Sequence, residues 1–78
     1  MKTKFVLAQM ARLNGEITTH YNRYSIIYKG NAISFIDQNG HALCLRVRAL
    51  GDQDDLISDY HAGSFVKTWK QVMRLVRL

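Results

Sequence analysis

Apolar residues follow a helical spacing at the start of the chain. Val6, Met10 and Leu13 recur at intervals of four and three residues, which places them on one side of a helix. Thr3 is suited to capping the start of this helix. Gly15 stands where a left-handed residue commonly ends a helix. The pattern therefore predicts a first helix over residues 3–14.

The spacing changes to two after residue 16. Three segments rich in β-branched and aromatic side chains follow, and we expect them to be strands. They are residues 17–28, 32–36 and 41–48. The first is long enough to bend at Asn22-Arg23. Turns are predicted at Lys29-Gly30-Asn31 and at Asn39-Gly40, where Asn-Gly supplies the positive φ angles of a hairpin.

The third of these segments has the clearest alternation. Its apolar residues Leu43, Leu45 and Val47 alternate with Cys44, Arg46 and Arg48. Because successive side chains of a strand point to opposite faces, the apolar set is expected toward the core and the two arginines toward the outer face. The three strands together are predicted to form an antiparallel meander.

The last part of the chain combines an acidic loop with a basic helix. Residues 51–63 show no periodicity and contain four aspartates, so a loop is expected. Ser64 is predicted to cap a closing helix. One side of that helix carries Phe65, Trp69, Val72, Met73 and Val76. The predicted fold class is α+β: a single domain over residues 1–78, ordered α-β-β-β-α, with a three-stranded antiparallel meander packed against two helices.

Composition supports a small folded domain. The 78 residues are 47% hydrophobic and include no proline, which suits regular secondary structure. Cys44 is the only cysteine, so no intramolecular disulfide can form, whereas secreted domains of this size usually carry several. No apolar run approaches the ~20 residues of a membrane span, and the N-terminal segment lacks the pattern of a signal peptide. We expect a cytoplasmic protein that does not bind membranes.

Charge is distributed unevenly along the chain. The net charge is +5, residues 51–63 contain only acidic charges, and residues 64–78 contain only basic ones. The basic residues of the closing helix are Lys67, Lys70, Arg74 and Arg77. Their spacings of three, four and three place them on one helical face, and we predict that this stripe binds a partner. Arg46 and Arg48 are predicted to form a secondary patch. The competing interpretation is an ordinary solvated surface.

No set of residues has the spacing of a metal or catalytic site. The candidate zinc ligands are His20, His41, Cys44 and His61. They are scattered, whereas zinc ligands usually come in close pairs. The run Asp52-x-Asp54-Asp55 opens like a calcium loop but lacks the glycine and glutamate required further along. Cys44, a histidine and Asp59 can be combined as a nucleophilic site, but no local motif supports it. We therefore expect no enzyme activity, no cofactor and no metal.

The order α-β-β-β-α, with basic residues on the last helix, resembles the double-stranded-RNA-binding domain. That family presents a lysine cluster at the start of its second helix, where this chain has Lys67 and Lys70 within residues 65–70. The resemblance implies contact with RNA or DNA phosphates through the closing helix. The chain departs from the family in the histidine-bearing loop, although Asn39-Gly40-His41 lies in a predicted hairpin turn.

A second resemblance covers residues 24–74. The segment Ser58-Asp59-Tyr60-His61-Ala62-Gly63-Ser64-Phe65, which leads into a helix, is similar to small domains of phages and plasmids, among them the large-polyvalent-protein-associated domains. The size of the chain also resembles that of anti-CRISPR inhibitors. Together with the small size, the meander topology, the basic stripe and the missing catalytic motif, these likenesses lead us to expect a non-enzymatic interaction protein of a mobile genetic element. It would bind and inhibit a host protein or nucleoprotein complex that handles nucleic acid, such as a CRISPR effector.

Two alternatives remain open at this point. The first is a small nucleic-acid-binding protein that contacts RNA or DNA phosphates through the basic C-terminal helix. The second is a structural homo-oligomer, such as a homodimer. An open sheet leaves edge strands that must be covered or paired, and the chain has no proline to prevent such pairing.

Overall fold

Helices stand at both ends of a run of strands. A computed structural model describes residues 1–50 and 63–76, which form two helices and five strands. The elements are α1 (Thr3–Arg12), β1 (Thr18–His20), β2 (Arg23–Tyr28), β3 (Asn31–Gln38), β4 (His41–Ala49), β5 (Ser64–Phe65) and α2 (Trp69–Val76). The predicted α+β class is confirmed. The predicted acidic loop lies almost wholly outside the described residues.

The five strands form one antiparallel sheet in the order β1-β2-β3-β4-β5. The predicted three-stranded meander is confirmed as β2, β3 and β4, and one short strand extends it at each edge. Two-residue turns at Lys29-Gly30 and Asn39-Gly40 join the central strands, and all four residues have positive φ, between 50° and 83°. Paired positive φ angles fit a type I′ turn, which explains the glycine in each.

The first predicted strand is divided at Tyr21. His20 pairs with Arg23, so Tyr21 and Asn22 form a reverse turn instead of the predicted bend. Tyr21 adopts φ 55°, a conformation that costs a non-glycine residue about 1–2 kcal/mol. Asn22 holds the turn against β3: its carbonyl accepts from the Asp37 N–H at 2.7 Å, and its Nδ2 donates to the Asp37 carbonyl at 3.1 Å. These contacts help to offset the cost of the turn.

A β-bulge interrupts β4 at Cys44. Ser34 of β3 pairs with Arg46. Two residues further along β3, Ile36 pairs with Leu43, so one residue of β3 opposes two of β4. Cys44 takes φ 55° at this point. The extra residue moves Leu43 to the same face as Arg46, and the core position predicted for Leu43 is therefore wrong.

Both helices pack against the same face of the sheet. Their buried residues join the inward side chains of β2, β3 and β4 in one hydrophobic core. The core consists of Val6, Met10, Ile26, Ile33, Phe35, Leu45, Val47, Val72 and Val76. Trp69 and Met73 are half-buried at its margin. Phe65, predicted to share the buried side of the second helix, lies outside the helix in β5.

The start of α1 is fixed by a tertiary contact and not by a local cap. Lys2 occupies the capping position, and no side chain caps the helix, so the capping role predicted for Thr3 is wrong. Thr3 is buried, and its hydroxyl donates a hydrogen bond to Asp37 Oδ1. This bond fastens the first turn of the helix to β3.

The left-handed residue at the end of α1 is Asn14 and not the predicted Gly15. Asn14 takes the left-handed conformation, with φ 58°, which asparagine tolerates better than most residues. Gly15 lies close to the core instead, because a Cβ at this position would be 2.3 Å from Ile26 Cδ1. Gly15 is thus required for space and not for positive φ.

The second helix begins later than predicted. Ser64 pairs with β4 as a strand residue, so its predicted capping role is wrong. Thr68 caps α2 instead. Its Oγ1 accepts a hydrogen bond from the Gln71 N–H at 3.2 Å, and Gln71 Oε1 accepts one from the Thr68 N–H at 3.2 Å. Reciprocal bonds of this kind form a capping box, which satisfies backbone donors at the start of a helix.

Candidate binding surface

The exposed side of α2 carries Lys70 and Arg74. Each stands two residues from the fully buried Val72, which is about 200° around a helix of 3.6 residues per turn. Both therefore point away from the sheet, one turn apart. Within residues 1–50 and 63–76, neither forms an ion pair with an acidic side chain. Their positive charges are directed toward solvent.

The rest of the predicted basic stripe is arranged differently. Lys67 is exposed but precedes α2, where its backbone N–H donates to Gln71 Oε1 at 2.7 Å. Its spacing from Lys70 is therefore not that of two neighbours on one helix. Arg77 lies outside the described residues. The structure places Lys70 and Arg74 together, with Lys67 in the turn just before them.

The two strand arginines do not form the exposed patch that was predicted. Arg46 is only 3% exposed, and its Nε donates to Ser34 Oγ at 3.2 Å. Arg48 is half-buried. Arg46 does lie on the sheet face opposite the helices, as predicted, but burial removes it from any surface that a partner would meet.

Two basic residues of α1 were missed by sequence reasoning. Lys4 and Arg12 are exposed, and each stands two residues from a buried core residue, Val6 or Met10. By the same helical geometry they point away from the sheet. The signal was available in the sequence, because the exposed positions 4, 8 and 12 recur every four residues opposite the apolar side.

The outward surface of the two helices thus carries charge of one sign. We call it the basic helical face: Lys4, Arg12, Lys67, Lys70 and Arg74. Neither helix contains an acidic residue. Of the acidic residues that the structure describes, Glu16 is exposed beyond the end of α1, and Asp37 accepts the hydrogen bond from Thr3. A surface with one sign of charge attracts anionic partners and accelerates their association.

Of the groups considered for chemistry, the structure describes those within residues 1–50 and 63–76. In the described part of the chain, no three His, Cys, Asp or Glu side chains lie close enough to hold a metal ion. His41 and Cys44 are exposed at the start of β4. A cavity beside Cys44 and Arg46 has a volume of about 10 Å³, room for about one water molecule. The calcium-like run of aspartates, His61 and Asp59 fall outside the described residues.

The chain matches no protein-family model, and no curated protein or solved structure is significantly similar to it. Among the helices that the structure describes, none is long and apolar enough to cross a membrane.

Proposed function

We propose that this chain is a non-enzymatic, cytoplasmic interaction protein that binds an anionic surface through its basic helical face. The observation that supports this most strongly is the pairing of Lys70 and Arg74. Like charges four residues apart destabilise a helix by about 0.2–0.5 kcal/mol. No acidic residue of α2 compensates them. Arg74 also lies in the last turn of α2, where the helix dipole favours a cation. The repulsion from Lys70 opposes this gain, so folding alone gives little reason to place two cations together, whereas a binding role does.

The competing interpretation is a solvated surface without a partner. Surface helices often carry lysine and arginine. They usually carry acidic residues as well, because opposite charges at helical spacing stabilise a helix. The absence of acids from α1 as well as α2 favours a binding surface. Both helices lack acidic residues and lie on the same side of the sheet, and one shared binding surface explains both observations.

The partner we propose is a host complex that handles nucleic acid, such as a CRISPR effector, and the proposed effect is inhibition. Such a complex presents bound nucleic acid and acidic protein patches, both of which suit a basic surface. The small size of the chain and its likeness to mobile-element domains supply the inhibitory part of the proposal. By this account the protein acts by occupying a surface and needs no catalytic residue.

Affinity capture tests the proposal. The tagged protein is incubated with a bacterial lysate at moderate salt, and the bound proteins are identified by mass spectrometry. We expect the wild-type chain, but not a K70E variant, to enrich a protein that handles nucleic acid. We also expect that protein to lose activity when the pure wild-type chain is added. The proposal is wrong if the K70E variant captures the same protein as the wild type does. It is also wrong if adding the pure chain leaves the activity of the captured complex unchanged.

Direct binding to RNA or DNA is the second candidate, supported by the same charged face. Here the affinity falls steeply with salt, because each neutralised phosphate releases a counterion. A chain that contacts one phosphate with each of the five residues of this face would show a slope of about −3.5 to −4.5 in a plot of log affinity against log salt. Mobility shifts at two salt concentrations measure this, and no shift at low salt excludes the second candidate.

A homo-oligomer is the third candidate, because β1 is an edge strand whose three residues are all exposed. Its short length, like that of the two-residue β5 at the other edge, limits the backbone pairing it could support by itself. Light scattering at high protein concentration decides the matter, since a monomer there excludes the oligomer.

A further inference from the structure

β5 forms one edge of the sheet, and its outer side offers backbone hydrogen bonds. Among the described strands none pairs with that side. The Val66 N–H donates to the Leu45 carbonyl at 2.8 Å. In an antiparallel pair, successive residues direct their backbone groups alternately toward the partner strand and away from it. The N–H and C=O of Phe65 therefore point outward, where they can pair with another strand.

β5 is held in place at both of its ends. A Cβ at Gly63 would lie 2.7 Å from the Val47 carbonyl oxygen, so the strand begins in close contact with β4. The capping box at Thr68 fixes the start of α2 just beyond the strand. Because β5 is already ordered, it loses little conformational freedom when a partner pairs with it.

A groove of about 300 Å³ lies between this edge and α2. It is lined by Ser64, Phe65, Val66, Gln71, Arg74 and Leu75. Val66 and Leu75 are half-buried apolar residues, and among the described residues of the lining Arg74 alone is charged. The Phe65 side chain is 53% exposed and shares the opposite sheet face with its partner Arg46. A strand added beside β5 would direct alternate side chains into the groove and toward the Phe65 ring.

We propose that an extended, acidic segment of a protein partner docks on β5 as a sixth strand. This inference rests on the proposed function, because it names the part of the partner that the basic helical face attracts. Arg74 selects an acidic side chain, and the apolar residues Val66 and Leu75 of the groove select a branched or aromatic neighbour. This mode of recognition combines main-chain hydrogen bonds with pockets for alternate side chains.

Two other occupants fit the edge less well. A second copy of the chain would bring two domains of net charge +5 together, with one Arg74 from each near the shared edge. Nucleic acid lacks the amide ladder that pairs with an outward N–H and C=O. The acidic peptide strand satisfies both the backbone groups and the charge.

Two substitutions of one residue isolate the backbone contribution. Phe65→Ala removes the ring but keeps the outward N–H, whereas Phe65→Pro removes both. Proline is tolerated on an edge strand where the N–H points away from the sheet, so F65P is expected to fold. The probes are peptides selected from a random library against the wild-type chain. We expect these peptides to be acidic and to bind F65P about tenfold more weakly than F65A. We also expect R74E to bind less than K70E, because Lys70 does not line the groove.

Amide hydrogen exchange gives a measurement that needs no variant. With a selected peptide bound, the Phe65 amide of the wild-type chain should exchange at least about tenfold more slowly. Equal binding to F65P and F65A, or unchanged exchange at Phe65, overturns the strand proposal. If partner capture still falls in K70E, the proposed function stands without the strand. If it does not, both proposals are wrong.

Discussion

Gly15 offers a sharp test of the packing between the end of α1 and the sheet. An alanine Cβ there would lie 2.3 Å from Ile26 Cδ1 and 2.5 Å from Ile26 Cγ1. Ile26 is fully buried, so its side chain has little room to move. Overpacking of this kind costs about 1–3 kcal/mol. Replacing glycine where the backbone permits alanine would by itself stabilise by about 0.4–1 kcal/mol. The clash is the larger effect, and G15A should destabilise the protein.

A double-mutant cycle with Ile26→Val isolates the clash. Valine lacks the Cδ1 atom that approaches Gly15 most closely but keeps Cγ1, so it relieves part of the clash. The substitution alone should cost about 0.5–1.5 kcal/mol. The double variant G15A/I26V should be more stable than the sum of the single changes predicts, by at least about 0.5 kcal/mol. Gly30→Ala is the control: Gly30 has φ 73° and no atom within 4 Å of a built Cβ. Its cost of about 1–2 kcal/mol comes from the backbone.

Urea unfolding followed by circular dichroism measures all of these variants. The G30A and I26V changes should add within about 0.5 kcal/mol, because they share no contact. If G15A is neutral or stabilising, or if its cost is the same in the wild-type and I26V backgrounds, the close approach does not control this position. A neutral or stabilising G15A would mean that glycine is not required at this position.

Three further predictions can be checked by the same unfolding assay. Thr68→Ala should cost about 0.5–2 kcal/mol because it removes the helix cap, whereas Ser64→Ala should change stability by less than about 0.5 kcal/mol; the reverse order would restore Ser64 as the cap. Thr3→Val should cost about 1–3 kcal/mol, since it leaves the Asp37 carboxylate without its buried donor, and an unchanged midpoint would refute that. Val72→Ala should cost about 2–3 kcal/mol from lost burial and a cavity, and a smaller loss would mean that α2 packs loosely.

The elements that sequence reasoning predicted best are those whose signals are local. The turns at Lys29-Gly30 and Asn39-Gly40 depend on residues next to one another, and the pairing of the strands on either side reinforces them. Val6 and Met10 likewise show a helical spacing that the core uses directly. Where local preference and packing agree, the pattern alone is sufficient.

The features that were missed depend on residues far apart in the chain. No glycine marks the turn at Tyr21, which is held by the contact between Asn22 and Asp37. The bulge at Cys44 becomes visible only when β4 is aligned with β3. Ser64 is an acceptable helix cap by local rules, but its pairing with β4 places it in the sheet. In each case a tertiary contact overrides a local preference.

The candidate surface was predicted in part for the same reason. The exposure of Lys70 and Arg74 was predicted correctly, because the apolar spacing of α2 identifies the side of the helix that is buried. Arg46 was placed on the correct sheet face, but nothing local indicated its burial beside Ser34. Alternation predicts the direction of a side chain, whereas its exposure depends on what else packs there.

Equilibrium binding of three single charge reversals to the captured partner tests whether the basic helical face is the binding surface. K70E and R74E alter that face, and K29E alters an exposed lysine in the turn between β2 and β3. Each variant lowers the net charge by two, so a general effect of charge would weaken all three equally. We predict that K70E and R74E bind at least about tenfold more weakly than the wild type, and K29E within about threefold of it. Equal affinities for the three variants would contradict a binding role for this face.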